Sequence, residues 1–205
     1  MLSTIVTNRN KILSYPFIYL FFQTLIGAKK ARLQCVKEYV NPVPRSKILD
    51  IGCGPGYGIE FFPNPIYVGF DIDKKYINYA KFKYGNKGLF VCEEFSDKVV
   101  ENLGFFDLVI MNGLLHHMSD NQVIELFEKV KRVLRSQGQI VTLDGCYVKG
   151  QSFIAKTLLD YDRGKFIRQE HDYVRLASKI FTSVVSHIRH DLMFIPYTLI
   201  VMNIS

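Results

Sequence analysis

The stretch KILDIGCGPGYG, residues 47–58, constrains the fold of this chain more than any other segment. It begins as a short apolar strand ending in Asp50, and glycine then occupies every second position from Gly52 to Gly58. Dense glycine directly after a strand is typical of a strand–loop–helix turn in which the backbone approaches a ligand. The same pattern also fits an ordinary glycine-rich turn, so the downstream residues have to distinguish the two.

Short apolar segments alternate with helix-like segments after this loop. Strands are predicted at residues 47–51, 66–71, 88–92, 106–111 and 139–144, and helices at residues 57–62, 74–83 and from 119 onward. Ser119 and Gln122 fit a capping box at the start of the last of these helices. Strands alternating with helices imply a parallel sheet with helices on both faces.

The flanking segments break this alternation. Residues up to Tyr39 are predicted to be helical with a break near Pro16, and the apolar residues 12–26 suit either a cover or a lid. Beyond Gly150, the sequence predicts helices at 152–161 and 170–179, then strands at 181–189 and 193–203. A tight turn at His190 and Asp191 is predicted to connect those two strands. Because such a turn leaves no room for a crossover helix, one of the strands should run antiparallel to its neighbours.

These elements predict one α/β domain over residues 1–205. Its sheet is doubly wound, mostly parallel and seven-stranded, with an antiparallel C-terminal hairpin and an N-terminal helical cover. Residues 1–44 form the cover or lid, 45–145 the ligand-binding core, and 146–205 the substrate-side helices and hairpin.

Composition describes a folded protein with a mild basic bias. The chain has 205 residues, of which 48% are hydrophobic and 22% charged, enough for a sizeable core. A net charge of +7 allows an anionic substrate, a membrane surface or nucleic acid as partner. No run of basic residues is longer than a pair, which disfavours a nucleic-acid groove.

The cysteines and the apolar segment bear on location. The four cysteines form no CxxC pair, so we expect neither a metal site nor a disulfide framework, and a reducing, cytoplasmic location fits. Residues 12–26 fall short of the ~20 apolar residues that a membrane-spanning helix needs. The sequence therefore predicts no transmembrane segment.

Polar residues end the predicted strands, where ligands of doubly wound sheets bind. Strand one ends in Asp50. Strand two ends in Asp71, about 20 residues beyond the first glycines, where a carboxylate can accept from both ribose hydroxyls. The next strands end in Glu93 and Glu94, Asn112 and Gly113, and Asp144.

The glycine spacing separates ligand classes. A dinucleotide fingerprint is GxGxxG, whereas this loop has glycine at every second position and is preceded by Asp50. A carboxylate beside the loop suits a ligand that carries an ammonium group and no phosphate there. Carboxylates at several strand ends likewise favour a cationic nucleoside, and the absence of GK[ST] excludes a P-loop.

Four motifs in order resemble those of class I S-adenosylmethionine-dependent methyltransferases: KILDIGCGPG, VGFDID, FDLVIMNGLLHHM and VLRSQGQIVTLDG. The resemblance spans residues 47–144 and is nearest to the small-molecule type that includes quinone-biosynthesis methyltransferases. The flanks resemble a bacterial subgroup of mostly unassigned substrate. The resemblance implies a Rossmann-like fold, S-adenosylmethionine as cofactor and S-adenosylhomocysteine as product.

The resemblance also implies which residues hold the cofactor. They are Asp50, Gly52, Gly54 and Gly56 around the methionine part, Asp71 on the ribose hydroxyls, Ile72 on the adenine, Glu93 or Glu94 at the adenine amino group, and Asn112 and Gly113 on the methionine side facing the acceptor. Capping of strand ends is the alternative role for Asp50 and Asp71.

The methyl-acceptor side has candidates but no defining motif. A general base is needed only for acidic O–H or N–H acceptors. His117, just past strand four, is the first candidate, followed by His116 and His171, with Asp144 and Tyr173 as accessories. Packing or orienting the loop is the alternative role for the adjacent histidines.

A basic segment, residues 162–168, is the second acceptor-side candidate. Arg163 and Arg168, with Tyr173 nearby, could bind a carboxylate or phosphate, and Tyr19 of the apolar N-terminal segment is a further substrate-binding candidate. A solvated basic turn is the alternative.

The sequence thus predicts a methyltransferase for a small-molecule acceptor, anionic or lipid-linked, with no metal and no nucleic-acid partner. An RNA methyltransferase and a non-catalytic S-adenosylmethionine-binding protein stay open as alternatives. The net charge of +7 permits the first, although NGLL stands after strand four where many such enzymes carry Asn-Pro-Pro-Tyr. Oligomeric state and acceptor atom are not predicted.

Overall fold

The computed structural model describes residues 16–40 and 43–205 of the chain. Its strands are β1 (Lys47–Ile51), β2 (Ile66–Asp71), β3 (Gly88–Cys92), β4 (Phe106–Asn112), β5 (Leu134–Tyr147), β6 (Arg168–Gln169), β7 (Val184–Arg189) and β8 (Leu199–Ile204). Seven of them form a sheet in the order β3-β2-β1-β4-β5-β8-β7, and the short β6 pairs with the end of β5.

Helices cover both faces of this sheet. They are α1 (Pro16–Leu25), α2 (Ala28–Tyr39), α3 (Lys74–Tyr84), α4 (Asp97–Leu103), α5 (Asp120–Val133), α6 (Phe153–Asp160) and α7 (Glu170–Ala177), with short 3₁₀ helices at Tyr57–Phe61 and Leu115–His117. Neighbouring β1 residues point to opposite faces. Leu49 belongs to a buried cluster with Phe127 of α5, and Ile48 to one with Ile77 of α3 and Ala31 of α2.

The sheet confirms the predicted fold class. Strands β1 to β5 are parallel, and β8 runs antiparallel to both β5 and β7. The strand order reverses between β1 and β4, so their carboxyl ends, at Asp50 and Asn112, flank the crevice in which such sheets bind ligands. The predicted capping box is also present, since the Gln122 side chain accepts from the Ser119 backbone N–H at 2.9 Å.

The N-terminal helices are separated by a turn at Gly27, whose φ of 85° favours glycine. The predicted break near Pro16 falls at the first described residue of α1, so it stays a prediction. A Cβ at Gly27 would lie 2.6 Å from the backbone nitrogen of Phe194. Residues 12–15 of the predicted apolar segment lie outside the described residues. Within the described ranges, no helix combines the length and apolarity needed to cross a bilayer.

The C-terminal strands are shorter than predicted, and nine residues rather than a tight turn connect them. The connecting segment leaves the sheet because Phe194 donates its backbone N–H to the Ile26 carbonyl at 3.1 Å, and Pro196 has no N–H to offer a strand. This excursion brings residues 192–195 against the turn between α1 and α2.

Candidate functional site

The loop after β1 places a buried carboxylate, Asp50, beside Tyr67. The Tyr67 hydroxyl donates to Asp50 Oδ2, and Gly58 permits this contact because a Cβ there would lie 2.9 Å from that oxygen. Among the described residues, the other oxygen, Oδ1, is buried without a hydrogen-bond partner. Burial raises the pKa of Asp50 to about 6, although the Tyr67 hydrogen bond and the Arg32 charge oppose the shift.

Asp71, at the end of β2, orders the same loop. Its carboxylate accepts from the backbone N–H groups of Gly54 and Asp73, each at 2.8 Å. Burial raises the pKa of Asp71, and these backbone hydrogen bonds partly counter it. The two predicted strand-end carboxylates therefore share one glycine-rich loop.

A cavity of about 240 Å³ opens beside this loop. Predicted residues among its lining are Gly52, Asp71, Ile72, Glu93 and Glu94. Ile72 is 78% exposed, so its apolar surface is free to contact a ligand. The residues that the sequence assigned to an adenosine group are thus gathered in one place.

The loop glycines differ in what surrounds them. A Cβ at Gly54 would meet nothing within 4 Å, whereas one at Gly56 would lie 2.7 Å from the Phe90 ring and 2.8 Å from Ala80 Cβ. Both residues have positive φ, at 55° and 78°. Gly54 therefore borders open space, while Gly56 is required by the packing of the fold.

A larger cavity, of about 770 Å³, lies between α1, α2, α6 and the ends of β4 and β5. Its lining is mainly apolar and aromatic, with Ile18, Phe21, Phe22, Leu158, Met193 and Ile195 among the contributors. Polar residues also reach it, among them Gln23, Arg32, His116, His117, Asp144 and Arg163. Gly113 lines this cavity and the next residue, Leu114, lines the smaller one, so the two cavities flank one strand-end loop.

His116 is clamped between two carboxylates at the floor of the larger cavity. Its Nδ1 lies 2.7 Å from Asp144 Oδ1, and its Nε2 lies 3.4 Å from Asp162 Oδ1. Burial would lower the pKa of His116, but the hydrogen bonds to Asp144 and Asp162 outweigh it and raise the pKa to about 9. His116 is therefore a buried imidazolium at neutral pH.

Gly164 allows this arrangement. A Cβ at Gly164 would fall 2.0 Å from His116 Cδ2, and the Phe166 backbone N–H donates to the His116 carbonyl at 2.9 Å. Burial would raise the pKa of Asp162, but hydrogen bonds from His116, the Gly164 N–H and Tyr197 hold it well below its usual range. The loop after α6 is thus bound to the histidine pair.

His117 behaves differently although its ring centroid lies 4.2 Å from that of His116. It stands at the cavity, partly exposed to solvent. Partial burial and the positive charge of His116 lower the pKa of His117 to about 4. Its imidazole is therefore neutral, with a nitrogen that can accept a proton.

Seven predicted residues line neither cavity: Asp50, Gly54 and Gly56 of the glycine-rich loop, and Arg168, Tyr173, His171 and Asn112. Arg168 is buried and donates to Asp120 and to the carbonyls of Leu115, Phe166 and Met118, so it holds the loop that carries the histidines. Tyr173 donates to the Gly145 carbonyl at 3.0 Å. His171 is exposed on α7 beside Asp172, and Asn112 ends β4 outside both linings.

Arg32 and Gln23 are site residues that sequence reasoning missed. Arg32 lies on α2, donates to the hydroxyls of Tyr57 and Tyr19, and lies near Asp50. Gln23 lines the larger cavity, and its Oε1 is buried with no partner among the described residues. Neither position carries a local sequence signal, because each is defined by how α1 and α2 pack on the sheet.

Comparison with known proteins gives a family match over the core of the sheet. Residues 49–142 match the family model described as "Methyltransferase domain", a range that begins in β1 and ends in β5. This match supports the predicted family, the class I S-adenosylmethionine-dependent methyltransferases.

Curated relatives of this chain match over part of their length. It is 29% identical over 104 residues to a ubiquinone biosynthesis O-methyltransferase of Vibrio campbellii and 28% identical to that of Vibrio parahaemolyticus. These alignments cover 48% of this chain and 44% of each relative. The chain therefore spans less than half of the curated relatives that it matches.

Solved structures share the fold of this chain. The magnesium protoporphyrin IX methyltransferase of Synechocystis, with bound S-adenosylhomocysteine, superposes with a TM-score of 0.57 at 16% identity, covering 89% of this chain and 82% of that one. The geranyl diphosphate C-methyltransferase of Streptomyces coelicolor gives 0.62 at 11% identity, covering 86% and 79%. None of these comparisons favours RNA methylation or a non-catalytic role.

The site of this chain fits S-adenosylmethionine, the cofactor that the structural neighbours support. The unpartnered Oδ1 of Asp50 is an acceptor suited to an ammonium group, and Gly54, in the same loop, borders open space. Asp71 and Ile72 offer a carboxylate and an apolar surface within the smaller cavity. The carboxylates and the apolar surface of the site therefore fit a cationic nucleoside, the ligand class that the glycine spacing favours.

Proposed function

We propose that this protein transfers a methyl group from S-adenosylmethionine to a small molecule held in the larger cavity. The observation that supports this most directly is the pair of cavities on either side of the loop at Gly113 and Leu114. One has the residues expected around a nucleoside, and the other is large enough for an organic acceptor. Donor and acceptor would thus meet at the end of β4, where proximity supplies much of the rate.

The cofactor assignments follow the predicted roles, with Arg32 added. Asp50 would bind the ammonium group of the methionine part, and Arg32, beside it, would bind the carboxylate. Asp71 would accept from the ribose hydroxyls. The remaining assignments are Gly52, Gly54, Gly56, Asn112 and Gly113 on the methionine side, Ile72 on the adenine, and Glu93 or Glu94 at its amino group. When bound, S-adenosylmethionine supplies an electrophilic methyl group on its sulfonium.

The acceptor in this proposal is largely apolar and carries an O–H or N–H group. Two buried oxygens of the larger cavity, Gln23 Oε1 and Asp144 Oδ2, have no partner among the described residues. Because unpaired buried acceptors are costly, a donor on the bound molecule would be favoured there. A lipid-linked acceptor suits the apolar lining, and Arg163 is placed to neutralise an anionic group.

His117 is the proposed general base. Its neutral imidazole can take the O–H or N–H proton of the methyl acceptor at physiological pH. His116 cannot, because it is already protonated between two carboxylates. His116 would instead position His117 through their ring contact and keep it neutral through its charge. The buried His116 thus keeps a proton acceptor at the cavity.

Calorimetry of S-adenosylmethionine binding tests the cofactor half of the proposal. Asp71→Ala should weaken binding about tenfold or more, because charge-assisted hydrogen bonds to ribose are lost. Asp71→Asn, which keeps one acceptor oxygen, should fall between that variant and the parent protein. Unchanged affinity in Asp71→Ala would contradict the assigned ribose site.

Methyl transfer to candidate phenols and amines, followed by S-adenosylhomocysteine release, tests the other half. His117→Ala should lower kcat about 10²-fold or more while leaving cofactor binding intact. His171→Ala, an exposed histidine outside both cavities, serves as the matched control and should retain full activity. Equal effects of the two substitutions would remove His117 from the mechanism.

A further inference from the structure

The outward face of α1 is apolar where a surface helix is normally polar. The ten residues of α1 include no charged side chain. Phe17, Phe21 and Leu25, spaced four residues apart and therefore on one stripe, are all mostly exposed, Phe17 to 77%. Ile18, Tyr19 and Phe22 of the same helix line the larger cavity, and the exposed Phe21 borders that cavity as well. Helix α1 is thus apolar toward solvent as well as toward the cavity.

Exposed apolar residues continue around the mouth of that cavity. Phe194 is exposed next to Ile26, with its backbone N–H bonded to the Ile26 carbonyl. Phe153, 84% exposed, and Ile154 begin α6, the helix whose Leu158 lines the cavity. We call this set the apolar rim: Phe17, Phe21, Leu25, Phe153, Ile154 and Phe194. Large exposed apolar side chains on several elements that line one cavity indicate an interaction site.

Basic residues accompany the rim. Residues 16–32, 149–166 and 191–195, which carry it, hold seven Lys and Arg residues against three Asp residues. Lys30 lies with its Nζ 5.3 Å from the Phe194 ring centre, and Arg163 lies 5.9 Å from the Tyr19 ring centre. Two of the three aspartates, Asp162 and Asp191, are already paired with His116 and Arg189. Of the basic residues, Lys29 is paired with Glu60, and Arg32 donates to Tyr57 and Tyr19, which leaves five Lys and Arg residues against one Asp residue. The surface around the rim is therefore positively charged.

We propose that the apolar rim docks on the surface of an anionic lipid bilayer. Amphipathic elements with apolar side chains beside Lys and Arg bind in the interface plane, through buried apolar area and attraction to anionic headgroups. A second copy of this chain is disfavoured as the occupant because it would bring like-charged rims together. Docking would turn the mouth of the cavity toward the bilayer. This inference goes beyond methyl transfer and does not depend on which acceptor is used.

Vesicle co-sedimentation of the full chain tests the proposal. The protein should bind vesicles of phosphatidylcholine with phosphatidylglycerol, and bind less to phosphatidylcholine alone or at high salt. The double variant Phe17→Ser, Leu25→Ser should lose at least about tenfold in partitioning, since neither residue lines the cavity and both would enter the interface. Phe82→Ser, which changes a 91% exposed phenylalanine on α3, is the matched control and should bind like the parent.

Calorimetry provides the folding control for this experiment. The parent, the double variant and Phe82→Ser should bind S-adenosylmethionine equally, which shows that both variants are folded. Absence of parent binding to the anionic vesicles, or equal partitioning of the double variant and the parent, would reject bilayer docking. A dimer in sedimentation velocity that the double variant abolishes, without vesicle binding, would assign the rim to a second copy instead.

Discussion

At the scale of single residues, Asp50 shows how burial prepares a carboxylate for a cation. The side chain is almost entirely buried, one oxygen is bound by Tyr67, and the other has no partner among the described residues. A cation that reaches the free oxygen replaces the solvation that burial removed. The raised pKa of Asp50 is therefore a property of the protein without its ligand.

This makes cofactor affinity pH-dependent. With a pKa of about 6, Asp50 is increasingly protonated below that pH, and a bound ammonium group requires the carboxylate, so binding releases a proton. Affinity for S-adenosylmethionine should fall up to about tenfold per pH unit below about pH 6 and be flat above about pH 7. Calorimetry across this range measures it. Asp50→Asn should bind weakly at every pH, and a persistent slope in that variant would assign the proton elsewhere.

Sequence reasoning worked for some site residues and failed for others on physical grounds. Asp50 and Asp71 could be predicted because they follow strands directly, and the carboxyl ends of parallel strands meet at one edge. Asp162 lay in a segment interpreted through its basic neighbours. Its role depends on Gly164 letting the loop approach His116, a contact between segments about 46 residues apart that no local pattern encodes.

At the scale of elements, the glycine-rich loop combines two requirements that sequence spacing cannot separate. Gly56 is enclosed by Phe90 and Ala80, and Gly54 faces open space. Both adopt left-handed backbone, which costs a non-glycine residue about 1 kcal/mol. One position thus serves the packing of β3 and α3, while the other keeps the ligand side of the loop clear.

Alanine substitutions should distinguish the two positions. Gly56→Ala should lower the free energy of unfolding by about 2 kcal/mol or more, because the added methyl overlaps a packed core. Gly54→Ala should cost only about 1 kcal/mol and instead weaken S-adenosylmethionine binding about tenfold, since its methyl enters the open space. Urea unfolding and calorimetry on both variants measure this. A Gly54→Ala protein with unchanged affinity would exclude close cofactor contact at that position.

Element boundaries were predicted best where hydrophobic spacing is strong. Strands β1 to β3 were placed to the residue, since buried parallel strands are short apolar runs. The predicted C-terminal strands were too long because apolar residues 193–195 continue the pattern, although they pack on the α1–α2 turn instead of the sheet. The predicted helix at 57–62 is a 3₁₀ helix, and α4 was not predicted.

At the scale of the whole molecule, the Asp144–His116–Asp162 cluster joins three parts of the chain. Asp144 lies in the buried part of β5, His116 follows β4, and Asp162 follows α6. Arg168 links a fourth segment to this cluster, because it donates hydrogen bonds to the Leu115 and Met118 carbonyls of the loop that carries the histidines. The charge on His116 is thus coupled to the global fold as well as to the site.

Stability should therefore change with pH in the alkaline range. The pKa of His116 is about 9 in the folded protein and about 6.5 when unfolded, so its contribution is complete below about pH 6.5 and lost as pH rises through 9. The shift corresponds to about 3 kcal/mol. Urea unfolding at about pH 6.5 and about pH 9.5 measures it. His116→Gln should flatten the difference and the exposed-site control His171→Gln should not; a slope that survives His116→Gln would refute the assignment.

The sequence by itself determined the family, the cofactor and the sheet, because these depend on hydrophobic spacing and on residues adjacent to strand ends. Loop KILDIGCGPGYG and Asp71 carried that information within one stretch of chain. Only the tertiary structure decided the surroundings of the larger cavity: which histidine is held between two carboxylates, that Arg168 and Tyr173 bind backbone carbonyls, and that α1 presents apolar side chains both inward and outward. These properties arise from contacts between distant segments, where burial and neighbouring charge set the protonation and exposure of each side chain.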